Sequence, residues 1–336
     1  MDPVTQGALG AAVALTKARP KQLAGAALIG ALGGMAPDLD VLIRSSTDSL
    51  LFLEYHRQFT HSLLFVPIGA LLCALALSPL LGKRFDLTFS SVYTFCLLGY
   101  ATHGLLDACT TYGTLLLWPL SYERVAWNVL SIIDPLVTLP LLLGIFWTVR
   151  SKSSAPIFLA LAWFGSYVAV GVVQRDRAEA VAWELALARG HSPQRLEAKP
   201  SFANLLVFKT VYEDSHQFYV DAVHVGVDTK IYEGKSVAKL DVGRDFSWLD
   251  SGSQQARDIE RFRWFSNDYL ALDQSDPNRV IDMRYSLLPN DINALWSIQL
   301  DPNVGSDVHV AYQMHRGDSR AALPTLWAMI TGEDID

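Results

Sequence analysis

Residues 23–40 read LAGAALIGALGGMAPDLD, and the reading of this stretch decides the fold. Leu23 to Ala36 carries no charge, and Ala26, Gly30 and Gly34 recur at every fourth position. Small residues at that spacing let helix backbones approach closely inside a bilayer. Pro37 ends or bends such a helix, and Asp38 and Asp40 follow at once. Carboxylates at the end of an apolar segment are costly in hydrocarbon, so they mark a working site.

The flanking chain is also membrane-like. Val4 to Leu15 is apolar but too short to span comfortably alone, and Lys17, Arg19 and Lys21 break it. Ser45 to Thr60 reads as a polar connection. Ser62 to Leu81, Phe89 to Ala108, Val129 to Val149 and Ala155 to Val173 each offer the roughly twenty residues that a span needs. Trp118, Tyr122 and Trp127 are aromatics of the kind enriched at membrane interfaces. Gln174 to Arg189 keeps helical spacing, with Gly190 as a stop.

After Pro200 the period changes to two. Leu206–Tyr212, Ile281–Leu287, Trp296–Leu300 and Val308–Met314 read as strands with one wet face, and Ile259–Tyr269 and Ala321–Ile330 as helices. The expected fold class is an α-helical membrane bundle of about 4–6 membrane helices followed by a small α+β, β-rich soluble domain. The expected boundaries are 1–173 for the membrane-embedded domain, 174–200 for a helical connector and 201–336 for the soluble domain.

Composition narrows the function classes. Of 336 residues 51% are apolar and 18% charged, an average that hides the split between the two halves. A net charge of −7 without a Lys/Arg-dense stretch argues against nucleic acid as a partner. Cys73, Cys96 and Cys109 lie in or beside apolar segments and form no CxxC. No disulfide framework is indicated, and zinc would have to be held by His and carboxylate. Asp2 stands where a secretory signal would be basic, so none is expected.

Charge orients the bundle. Lys17, Arg19, Lys21, Lys83, Arg84, Arg150 and Lys152 fall in loops that alternating spans place on one side, against Arg44, Arg57 and Arg124 on the other. The positive-inside rule puts the first group in the cytoplasm of a multi-pass protein, the membrane being taken as a bacterial inner membrane. The polar clusters and the C-terminal domain fall on its periplasmic side.

Three clusters carry chemistry. His103 and Asp107, four apart, share a helix face. They suit two ligands of one ion, a ligand and its orienter, or a polar pair sealing a helix end. His56 and His61, five apart, would not be aimed together by one helix; His61 at the start of a span and His56 in the preceding loop can both turn inward. In an extended segment Asp38 and Asp40 point the same way and can face one ion or one each of a pair. Alone they would be acids of a helix-ending loop. Asp134, before Pro135, is either a further ligand or a helix-end acid, and the second reading is favoured. HExxH, GxSxG, P-loop and GxGxxG are not found where they would count. His191, His216, His224, His309 and His315 lack ligand spacing.

Met1-Asp2-Pro3-Val4-Thr5-Gln6-Gly7, Pro37-Asp38-Leu39-Asp40, His56-Arg57-x-x-Thr60-His61-Ser62 and His103-x-x-x-Asp107-x-x-Thr110-x-Tyr112-Gly113 occur here in that order. Together they resemble the YdjM-like (DUF457) membrane-bound metal-dependent hydrolases over roughly residues 1–173. The resemblance implies an inner-membrane protein whose metal ligands are Asp38, Asp40, His56, His61, His103 and Asp107. Many members of the family have His where Gln6 stands here. A distant relation to zinc-dependent phospholipase C and P1-type nucleases implies a phosphoester substrate, by fold-level analogy.

The expected function is metal-dependent hydrolysis of a lipid or lipid-linked phosphate at the membrane surface. Divalent ions, zinc first and manganese second, two or more in number, would activate a water. Asp38 and Asp40 are the expected catalytic carboxylates, and Arg57 the group that neutralises phosphate charge. The competing expectation is a non-catalytic membrane scaffold or sensor with a structural metal and a soluble interaction domain. The partners are the lipid bilayer and the lipid substrate; nothing in the sequence sets the oligomeric state.

Overall fold

Helices can lie backbone against backbone only where side chains are missing. The computed structural model, which describes residues 1–315 and 317–335, uses glycine in this way. The chain divides into two units, Met1–Leu42 with Tyr55–Val172, and Ile43–Glu54 with Val173–Asp336.

The first unit contains α1 (Pro3–Leu15), α2 (Leu23–Met35), α4 (Val66–Leu77), α5 (Phe89–Ala108), α6 (Pro135–Ser151) and the first part of α7 (Ala155–Ala188); the short α3 (Leu51–Tyr55) ends at its border. Asp2 caps α1 by accepting from the Val4 and Thr5 amides, with Pro3 in the first turn. A Cβ on Gly30 would lie 2.7 Å from the Gly10 carbonyl oxygen of α1, and one on Gly99 of α5 2.2 Å from the Gly30 oxygen. The small-residue repeat of α2 is therefore a seam for two helices at once.

The polarity of this unit is inverted. Leu72 and Leu75 of α4, Leu139, Leu143 and Trp147 of α6, and Leu159 of α7 are exposed, whereas Gln6, His61, His103, Asp107 and Asp134 are buried. Lipid is the solvent that tolerates such an exterior. By length and composition two helical stretches among the described residues, Leu23–Leu42 and Ala155–Ala188, can cross a membrane. A third is added if Leu51–His61 and Val66–Gly82, bent by 89°, count as one span. Length and composition alone do not reach the four to six expected from the sequence. Two expected spans also start later than predicted. The helix expected from Ser62 begins at Val66, after a 3-10 turn at Phe59–His61. The one expected from Val129 begins at Pro135, because the Asp134 carboxylate caps the Leu136 amide at 3.0 Å.

The second unit is built on two antiparallel sheets. β1 (Arg195–Pro200), β2 (Val207–Asp214), β3 (Gln217–Val225) and β4 (Thr229–Tyr232) are adjacent in that order, and β5 (Ser236–Ala238) also pairs with β3. After α8 (Val242–Asp245) and α9 (Gln254–Phe265), the strands β6 (Leu270–Asp273), β7 (Asp276–Asp282), β8 (Trp296–Gln299) and β9 (Ala311–Met314) form the other sheet, and α10 (Ser319–Thr331) follows. Two expectations fail here. Strand β2 has no wet face: Phe208 packs with Ala178 of α7, Val207 with Met329 of α10, and Val211 with Tyr269 and Ile281. The predicted strand at Ile281–Leu287 ends at Asp282, where the Arg284 guanidinium folds back onto the Asp282 carboxylate at 2.7 Å.

Residues 45–54, read from the sequence as part of a polar connection, supply core to this unit. Leu50 and Leu53 are buried with Phe246, Ile259 and Phe262. Arg261 ties the segment down through Asp48 at 2.8 Å and Glu54 at 2.5 Å.

Lys209 is buried in β2 and donates to Ser286 Oγ and the Asp291 carbonyl, both at 2.7 Å. Burial pushes its ammonium down from 10.5 to about 7. The unfolded chain therefore binds more protons between those values, and stability rises with pH across the window, by at most ~1.4 kcal/mol per pH unit. Replacing Lys209 by Met flattens this rise, which denaturant titrations of the detergent-solubilised protein at pH 7 and about pH 9 would measure.

Candidate metal centre

Asp38 and Asp40 do not lie on the extended segment that would point them the same way. Ala36–Leu42 is a 3-10 helix, in which residues two apart diverge by about 120°. The two carboxylates consequently join different groups. Asp38 meets His61, His103 and Asp107; Asp40 meets His56 and His61; in each group one donor atom per residue lies within 4.8 Å of the others.

The first group has the donor arrangement of a cation site. His103 Nδ1 lies 2.6 Å from the Gly34 carbonyl oxygen, an acceptor only, so this nitrogen carries the proton and Nε2 is a bare lone pair. His61 Nδ1 lies 3.2 Å from Asp40 Oδ2, which likewise leaves the His61 Nε2 bare. The two Nε2 atoms face each other at 2.9 Å. Two ring nitrogens at that distance are reconciled either by a proton shared between them or by a cation beside them. Asp38 Oδ1 lies 3.4 Å from the one and 3.5 Å from the other, and Asp107 Oδ2 is 3.4 Å from His61 Nε2. Asp107 Oδ2 is buried and takes no aligned hydrogen bond.

Asp40 is occupied differently. Its Oδ1 is 2.8 Å from His56 Nδ1, and its Oδ2 accepts from Thr60 Oγ1 at 2.7 Å and from the Arg57 amide at 3.1 Å, besides facing His61. Protein donors already surround this carboxylate, although its group too could hold an ion. Arg57 has the positive φ of +65° and is buried. Its Nε lies 3.1 Å from Asp107 Oδ2, its Nη1 donates to Thr110 Oγ1 at 3.3 Å, and its guanidinium covers the Tyr112 ring. Gln6 Nε2 donates to Asp107 Oδ1 at 2.8 Å, as does the Met1 amino group, and leaves Gln6 Oε1 buried without a partner.

Several supports had no signal in a single sequence. Tyr100 lies over Gly69 and donates to the Thr60 carbonyl at 2.9 Å, which fixes the residue that holds Asp40. A Cβ on Gly104 would fall 2.2 Å from the His61 carbonyl oxygen, so only glycine lets His61 reach His103. Asp134 stays outside both groups, capping α6 and accepting from Tyr167 at 2.8 Å. In the second unit His191 meets Tyr212, His309 meets Asp258 and His315 meets Ser297.

A cleft of about 400 Å³ opens beside the first group. Asp38, His56 and Arg57 give it one polar side, and Met35, Leu39 and Val41 an apolar one. Of the four residues around the facing nitrogens, Asp38 is the one with appreciable exposure, at 25% of its side chain.

Residues 1–178 match the family described as YdjM inner membrane protein. Inner membrane protein YbcI of Escherichia coli is 34% identical over 108 residues, which are 31% of this chain and 60% of that protein. Uncharacterized protein YfhP of Bacillus subtilis is 28% identical over 140 residues, 41% of this chain and 42% of that protein. The chain thus spans about half the length of these curated relatives. No solved structure matches.

Gly104→Ala should displace His61, lose bound metal in elemental analysis, and cost about 1–3 kcal/mol of stability. Gly165→Ala, where nothing lies within 4 Å of the new Cβ, should change neither.

Proposed function

The chain belongs to the YdjM inner membrane protein family, and we propose that it is a membrane-embedded, metal-dependent hydrolase acting on a phosphoester of a lipid or lipid-linked substrate. The observation that carries this reading is the pair of facing Nε2 atoms beside a cleft with one charged and one apolar side. Asp38, His61, His103 and Asp107 would hold a divalent ion, zinc first and manganese second. Such an ion supplies Lewis acidity and acidifies a water to a pKa near 7.

The chain's own groups do the rest. The Gly34 carbonyl and Asp40 fix the His103 and His61 tautomers. Asp38, the wettest of the four, accepts the proton of the attacking water. Arg57 holds Asp107 in place and, bordering the cleft, balances phosphate charge. Met35, Leu39 and Val41 receive the apolar part of the substrate. Because Asp40 is saturated by protein donors, one ion per chain is proposed in place of the two or more expected from sequence. The distribution of loop cations supports a site on the periplasmic side.

The scaffold reading draws on one observation, that three of the four candidate ligands are fully buried. Cobalt substitution separates the two. An absorption spectrum that changes when inorganic phosphate is added reports an open coordination position and supports the hydrolase. A spectrum indifferent to phosphate, with no release of phosphate from phospholipid or isoprenyl phosphate, leaves the structural metal.

Elemental analysis of purified protein should find one zinc or manganese per chain, absent in His61→Ala. Asp40→Asn should keep that stoichiometry with ~10–100-fold weaker binding. If Asp40 is instead a ligand of a second ion, wild type should hold two and Asp40→Asn one.

A further inference from the structure

We propose that the second unit is seated on the bilayer through an apolar edge made by Phe202, Leu206 and Val227. This inference rests on α7 crossing the membrane and is independent of the hydrolase chemistry.

At ~1.5 Å per residue, Ala155 to Val173 covers roughly 28 Å, close to the ~30 Å hydrocarbon core of a bilayer. Gln174 is the first polar residue beyond this stretch, so it marks where the helix leaves hydrocarbon. Its side chain is buried and grips two loops at that level. Nε2 donates to the Leu205 carbonyl at 3.1 Å and to the Val225 carbonyl at 2.7 Å. Arg177, one turn further on, donates to the Val225 carbonyl at 3.2 Å and the Gly226 carbonyl at 2.9 Å. The Val225 amide donates to the Leu206 carbonyl at 2.7 Å, joining the loops to each other.

Both loops are held by hydrogen bonds, and both present large apolar side chains to the outside. Asn204 is buried and braces its loop, with Nδ2 donating to Ser201 Oγ and the Phe202 carbonyl while Oδ1 accepts from the Leu206 and Val207 amides at 2.9 and 2.8 Å. The brace leaves Phe202 52% and Leu206 37% exposed. Val227, at the tip of the β3–β4 turn, is fully exposed. Exposed apolar side chains on braced loops, held where a spanning helix emerges, fit the acyl–headgroup boundary. The neighbouring charges Arg175, Asp176, Arg177 and Asp228 balance, so the contact is apolar and does not depend on anionic lipid.

The opposite end of the β2–β3 hairpin supplies the control. His216 is exposed there, ~30 Å from Val225 at about 3.3 Å per strand residue. The photo-crosslinking residue benzoylphenylalanine is introduced at 202, 227, 216 and 159 in separate full-length chains in vesicles of phosphatidylcholine. Leu159 lies on the exposed face of α7 within the span. The expected result is lipid adducts, by mass, at 202, 227 and 159 and none at 216. Adducts at 159 without adducts at 202 and 227, or capture of protein at those positions, overturns the proposal. No lipid adduct at 159 overturns the spanning role of α7 and the proposal with it.

Discussion

The candidate metal centre depends on how closely three backbones can approach. Gly34 of α2 lies against Gly10 and the Gln6 carbonyl of α1, Gly99 of α5 against Gly30, and Gly104 against the His61 carbonyl. In lipid there is no hydrophobic drive to press helices together, so tight van der Waals contact and interhelical hydrogen bonds have to hold them. Here the same contacts set the chemistry. The Gly34 carbonyl reaches His103 because no side chain separates α2 from α5, and His61 reaches His103 because position 104 has none.

A buried carboxylate is tolerated only with partners, and the two deep ones of the candidate site, Asp40 and Asp107, are partnered in different ways. Asp40 is surrounded by Thr60, the Arg57 amide, His56 and His61, all donors from the chain. Asp107 receives Gln6 and the Met1 amino group on one oxygen, while the other faces Arg57 and the histidine pair without an aligned hydrogen bond. This asymmetry separates an orienting carboxylate from a candidate ligand. It also gives Arg57 a structural task, at a backbone conformation that non-glycine residues rarely adopt.

The two units obey opposite solvent rules. The first exposes leucine, phenylalanine and tryptophan and buries His61 and His103; the second has an aromatic and aliphatic core between sheets and helices. The chain passes from Asp40 into the second unit's core at Leu50 and Leu53 and re-enters the first at Tyr55, one residue before His56. The segment that separates the first two clusters in sequence is thus a packed element and not slack loop.

The sequence alone determined that polar residues punctuate apolar helices, that α2 carries a close-packing seam, that strands follow Pro200, and which His and Asp residues are candidates. Those features are local, since residue type and spacing carry them. Tertiary structure decided the partition of the candidates. Asp38 and Asp40 diverge because the chain after Pro37 winds as a 3-10 helix, which residue spacing does not reveal. The tautomers of His61 and His103 follow from acceptors distant in sequence, Asp40 and the Gly34 carbonyl. Strand β2 loses its wet face because α7, α10 and the second sheet cover it. Each of these outcomes depends on which backbone lies next to which, a property of the folded chain that no local pattern encodes.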